Sequence, residues 1–121
     1  MKRTLKEWVI FYLHKEETLF EMANLKPKDT GLPMVIWASP KMGKHGPRIK
    51  VQSERGTKTK TNNWCSVSIS DNPVILRGKL SNEDFKLAKE FIEMNKESLL
   101  NFWNDEFDSL GDFLISLKKI E

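Results

Sequence analysis

A chain of 121 residues, 39% hydrophobic and 31% charged, is long enough for one domain, 1–121, whose core is expected to need no disulfide or metal. Its single cysteine, Cys65, excludes an intramolecular disulfide, and no apolar run approaches the roughly 20 residues of a membrane span. Met1-Lys2-Arg3-Thr4 is not followed by the uninterrupted apolar stretch of a signal peptide, so a cytoplasmic protein without membrane contact is expected.

Leu5, Trp8, Val9, Tyr12 and Leu13 fall on one face at helical spacing. The run Trp8 to Leu13 also has strand character, and both assignments stay open over residues 5–23. The polar flanks Lys6, Glu7 and His14 to Glu17 favour helix, with Leu19, Phe20, Met22 and Ala23 continuing it. Pro27 and Gly31 are expected to end this element.

Leu32 to Ala38 reads as a strand with Met34, Ile36 and Trp37 as its bulk, and Ser39 to Pro47 as a loop. Arg48-Ile49-Lys50-Val51-Gln52 alternates and forms the return strand of a hairpin. Ser53 to Asn63 is polar and reads as a mobile hairpin tip. Trp64 to Ser70 alternates again, Asp71-Asn72-Pro73 is turn chemistry, and Val74-Ile75-Leu76 is a short strand closed by Gly78.

Ser81 carries the start signal of a long helix. Its hydroxyl can cap the Asp84 N–H, Asp84 stands where a capping box wants an acid, and Leu80 and Phe85 are placed as a hydrophobic staple. The helix runs to Trp103, and Asn104-Asp105 breaks it. Ser109 with Asp112 repeats the cap before a shorter amphipathic helix carrying Leu110, Phe113, Leu114, Leu117 and Ile120. Lys118 and Lys119 fall in its last turn, where they complement the helix dipole. The expected fold is α+β: a small, mainly antiparallel sheet of three to five strands with an N-terminal helix and two C-terminal helices packed on it. The expected core includes Val35, Trp37, Ile49, Val51, Val67, Ile69, Ile75, Phe85, Ala88, Ile92, Leu99, Trp103 and Leu114.

Gly46-Pro47-Arg48-Ile49-Lys50-Val51, the strand ending Asp71-Asn72-Pro73-Val74-Ile75-Leu76, Leu80 to Asp84, and the helix closing Asn95 to Trp103 together resemble a small bacterial and phage family of unknown function. Its members have a short β-meander with a Pro-Pro-His-x-His-Val strand, a Pro-Val strand, and a helix ending Leu-Leu-x-x-Trp. The resemblance covers roughly residues 32–107. It implies an α+β fold in a mobile-element or toxin–antitoxin-like setting, and no established activity. The two family histidines fall on Arg48 and Lys50, which offer no metal ligand at neutral pH.

No catalytic constellation is legible. His14 and His45 have no ligating neighbours at metal spacing, Gly43-Lys44 lacks the rest of a phosphate-binding loop, and Cys65 reads as a small core residue. The paired acids Glu83-Asp84 and Asp105-Glu106 suit helix termini. No cofactor is expected.

Charge gives the stronger signal. The net charge is +3, but Lys41 to Lys60 holds seven basic residues against one acid, and Asn82 to Glu121 ten acids against five lysines. The candidate partner-binding residues are therefore Lys41, Lys44, His45, Arg48, Lys50, Arg55, Lys58 and Lys60. Trp64 beside the polar tip joins them, whereas at least three of the four tryptophans are expected in the core. Arg48 and Lys50 alternate with Ile49 and Val51, which sets both cations on one face. The functional reading is a non-enzymatic accessory factor whose basic hairpin binds nucleic acid or an acidic protein surface. The alternatives are an inhibitor or antitoxin that touches only protein, an enzyme with an unrecognised site, or an edge hairpin whose lysines merely block aggregation.

Overall fold

The computed structural model describes residues 23–41, 44–58 and 63–120, and in them five strands form one antiparallel sheet in chain order. The strands are β1 (Ala23–Leu25), β2 (Ile36–Ala38), β3 (Arg48–Gln52), β4 (Trp64–Ser68) and β5 (Ile75–Arg77). A short helix, α1 (Pro27–Thr30), lies between β1 and β2. Two helices follow the sheet, α2 (Asn82–Trp103) and α3 (Leu110–Ser116). The α+β architecture read from the sequence is the one the chain adopts. The expected helix over residues 5–22 lies outside the described residues.

Alternation divides the sheet into two faces. Ala23, Leu25, Ile36, Ala38, Ile49, Val51, Cys65 and Val67 are buried on the inner face. They cluster with Ala88, Phe91, Ile92, Leu99 and Phe102 of α2 and Phe113 of α3, so both helices cover this face. Phe113 stacks on Phe102 with ring centroids 4.1 Å apart, which fastens α3 to the end of α2.

The serine half of each expected cap forms, while the Asp84 carboxylate turns to Arg55. The Ser81 hydroxyl accepts from the Asp84 N–H at 3.1 Å, and the Ser109 hydroxyl from the Asp112 N–H at 3.1 Å. Within α2, Asn95 departs from helical geometry (φ −117°, ψ 19°). Its buried amide donates to the carbonyls of Phe91 and Lys118 and accepts from the Lys118 N–H. The C-terminal segment is thereby held on α2. It then reaches α1, where the Ile120 N–H donates to the Thr30 carbonyl at 2.8 Å. Gly31 caps α1 at φ 80°, and a Cβ there would collide with the Ile120 carbonyl.

Several expectations are corrected. Ala23 belongs to β1, and Pro27 opens α1 where it was expected to close a helix; Lys26 is extended, as a residue before proline prefers. Leu32, Met34, Val35 and Ile36 are all buried without alternation, so only Ile36–Ala38 is strand. Trp37 is half-buried on the outer face, because its neighbours Ile36 and Ala38 take the inner one. Ile75 is 38% exposed, since β5 is the last strand of the sheet. Leu114 is 40% exposed, since a helix of seven residues buries one apolar position, Phe113. Phe85 is only half-buried beside Leu80, both packing at the core's margin. Lys118 and Lys119 follow the extended cap Leu117, beyond the end of α3, and do not serve its dipole.

Candidate functional site

The outer face of the sheet gathers the cations that the fold does not use. Registered partners across a sheet share a face, and the pairing runs Trp37 to Lys50, Lys50 to Ser66 and Ser66 to Arg77. This makes one row across four strands. Arg48 pairs with Ser68 in the next row, and Gln52 with Trp64 on the other side. Strand spacing near 4.8 Å places Lys50 and Arg77 about 10 Å apart, and Arg48 about 7 Å from Lys50 along β3. Lys50 and Arg77 are exposed, and none of the three cations makes an ion pair with the described residues. The Arg48 Nε donates to the Gly46 carbonyl at 3.2 Å, which orients the guanidinium without neutralising it.

Two tryptophans border this row. The rings of Trp37 and Trp64 meet with centroids 4.9 Å apart and planes tilted by 43°. The indole N–H of Trp37 is buried and has no acceptor among the described residues. Tryptophan offers a donor only, and a buried donor without a partner costs about 1–3 kcal/mol.

The remaining expected site residues that are described, apart from Trp64, do not join this face. Lys41 is exposed, and its N–H donates to the Trp103 carbonyl at 2.7 Å, at the end of α2. Lys44 and His45 are exposed in the connection from β2 to β3. Lys58 is exposed in the connection from β3 to β4, at the opposite end of β3, and its carbonyl accepts from the Gln52 amide. Lys60 lies outside the described residues. The stretch from Lys41 to Lys60 is therefore two connections at opposite ends of one strand, with Arg48 and Lys50 between them.

Arg55 is engaged within the chain. Its Nη2 donates to Asp84 at 2.6 Å and to Glu83 at 2.9 Å, and its Nε to Asp84 at 3.0 Å. The Asp84 carboxylate is buried, and these bonds hold the arginine well above its ordinary pKa. Gly56 N–H donates to the Pro33 carbonyl and the Ser53 hydroxyl to the Lys79 carbonyl, so residues 53–56 are tied back onto the fold. No local pattern points to this contact, because the acids lie 28 and 29 residues away.

Arg77 is the residue that sequence reasoning missed. β5 passes two residues opposite one step of β4, between Ser66↔Arg77 and Val67↔Ile75, so Leu76 bulges. Gly78, at φ 85°, then brings the chain against the Trp64 carbonyl, where a Cβ would not fit. Only this register sets Arg77 beside Ser66, in the row of Lys50.

Among the described residues, no three His, Cys, Asp or Glu side chains converge as a metal site requires. Cys65 is buried, and burial pushes its thiol up, the reverse of an activated nucleophile. A shallow recess of about 470 Å³ lies along α2 between Glu93, Met94, Lys96, Glu97, Leu100 and Asn101, with mixed charge and no gathered donors. None of the described helices is long and apolar enough to cross a membrane. Comparison with known protein families, curated proteins and solved structures finds no match for the chain.

Proposed function

We propose that this is a non-enzymatic binding protein whose target is nucleic acid, engaged on the outer face of the sheet. The observation that supports the reading is the registered row of Lys50, Ser66 and Arg77, with Arg48 in the next row and the tryptophan pair beside it. Elsewhere Arg55 and Lys96 spend their charge on acids of the same chain. On the outer face three cations are held on a sheet with no acid paired to them among the described residues. Like charges at that spacing gain nothing for folding, whereas a phosphate chain neutralises them and releases its counterions. Arg48 adds a planar fork that matches phosphate geometry.

The test is Arg48→Glu with Lys50→Glu, measured by fluorescence anisotropy against labelled oligonucleotides at two salt concentrations. The unaltered chain should bind more weakly as salt rises, and the double variant should lose binding at the same melting temperature, because exposed charges contribute little to stability. Equal binding by both proteins would remove the outer face from the function.

A second reading rests on β5. Val74, Ile75 and Leu76 are 46%, 38% and 44% exposed at the edge of the sheet, beside Arg77. An extended acidic segment of another protein could add a strand there, as an inhibitor or antitoxin of the setting implied by the family resemblance would require. Val74→Lys with Leu76→Lys blunts that edge. If this variant loses a native-host partner that Arg48→Glu/Lys50→Glu retains, the edge and not the basic face carries the function.

A further inference from the structure

We infer that the strand held on the outer face is single-stranded, with unpaired bases stacking on the Trp37–Trp64 pair while Arg48, Lys50 and Arg77 hold its phosphates. This rests on the reading of the outer face as a nucleic-acid surface and adds which nucleic acid fits it.

The shape of the basic surface argues against a duplex. Reading a major groove takes a helix or a two-stranded ribbon that projects from the body. Here the first part of the connection after β3, residues 53–56, is folded back through Ser53, Arg55 and Gly56. The cations instead lie across an open sheet, over about 10 Å. A flat face can meet a flexible single strand at every cation; a rigid duplex would touch it along one line.

The aromatic pair gives such a strand a second contact. Base stacking on aromatic side chains is tolerant of sequence and is absent from a closed duplex, whose bases are already stacked. The two rings touch, so no base fits between them, and stacking must use the outer surface of the pair. Trp37 is suited to this in one further respect. A core tryptophan that shifts breaks the hydrogen bond of its N–H, but the Trp37 N–H has none to lose among the described residues. A small displacement toward a base or phosphate oxygen therefore forms a bond and sacrifices none.

The experiment is fluorescence anisotropy with the full chain at fixed, low salt. Four labelled probes are compared: oligouridylate, oligothymidylate, an abasic strand of the same length, and a hairpin duplex. Both single strands should bind about 5- to 150-fold more tightly than the abasic strand, the range expected of one stacked base, and more tightly than the duplex. The difference between the two strands reports whether ribose is sensed. Trp37→Leu should lower affinity for oligouridylate to the abasic level and leave the salt slope unchanged, since the phosphate contacts remain. If that variant misfolds by circular dichroism, the abasic comparison on the unaltered chain decides. Abasic and duplex probes bound within twofold of the single strands would overturn the stacking inference while leaving the phosphate-binding face intact. Binding of none of the four probes would overturn both.

Discussion

Replacing Asn95 with alanine should destabilise the protein more than any surface substitution. Asn95 is 3% exposed, in the middle of the longest helix. Its amide makes three hydrogen bonds, at 3.1 Å to the Phe91 carbonyl, 2.9 Å to the Lys118 carbonyl and 2.7 Å from the Lys118 N–H. Three bonds at a net 0.5–1.5 kcal/mol each set a range of about 1.5–4.5 kcal/mol. Lys118 is exposed, so water can replace part of what its backbone loses, which pulls the value down. Alanine also favours helix by a few tenths of a kcal/mol at a position now distorted to φ −117°. The net expectation is a loss of about 2–3 kcal/mol, or roughly 8–12 °C in melting temperature for a chain of this length. Urea unfolding followed by circular dichroism measures it. Hydrogen exchange adds the location, because the Lys118 and Ile120 amides should lose protection before the sheet does. A loss under about 1 kcal/mol with Ile120 protection unchanged would refute the clamp, since the C-terminal segment would then be held by something other than Asn95.

Two further outcomes follow from the packing. Arg55→Gln should lower thermal stability, because it strands the buried Asp84 carboxylate, and should leave oligonucleotide affinity of the folded protein unchanged; lost affinity at unchanged stability would return Arg55 to the binding surface. Cys65 should react with a thiol reagent far more slowly in the native protein than in denaturant, and stability should fall at alkaline pH for the same reason. The unfolded thiol ionises near its ordinary value and the folded one only above it, so the stability of the buried neutral thiol is complete below the ordinary value and is lost as pH rises through the folded one. A Cys65→Val variant showing the same alkaline decline would assign the loss to other groups.

Local signals were legible and non-local ones were not. Ile49 and Val51 declared the inner face of β3, and with it the side of Arg48 and Lys50, because period two is written in five consecutive residues. Ser81 and Ser109 declared their helix starts, because a cap needs only the next three residues. Trp37 failed because Val35-Ile36-Trp37 is apolar without a break, and such a run does not say which residue turns outward. Ile75 and Leu114 failed because burial at an edge strand or a short helix depends on what lies beyond it. Arg77 needed a bulge in the β4–β5 register, and Arg55 needed acids nearly thirty residues further on. The alternation thus placed Arg48 and Lys50 on the face they occupy, whereas the ion pairs of Arg55 with Glu83 and Asp84 were not legible.

The charge asymmetry seen along the sequence takes a definite direction in space. Glu90, Glu93, Glu97, Asp105, Glu106, Asp108 and Asp112 are exposed on α2, α3 and their connection, on the side that covers the inner face. Arg48, Lys50 and Arg77 stand on the opposite side, with the sheet between. Only Arg55, at the start of α2, joins the basic stretch to the acidic one through ion pairs among the described residues. A layer of sheet and core separates the two sets by more than the 8–10 Å over which salt screens charges at physiological strength. The acids therefore do little to quench the cations, and a net charge of +3 understates the field over the outer face. A polyanion approaching from that side is attracted, and one approaching the helices is repelled. A fold that needed its cations only for solubility could scatter them among the acids. Here strand register lines them up on a face to which the described strands contribute no acid.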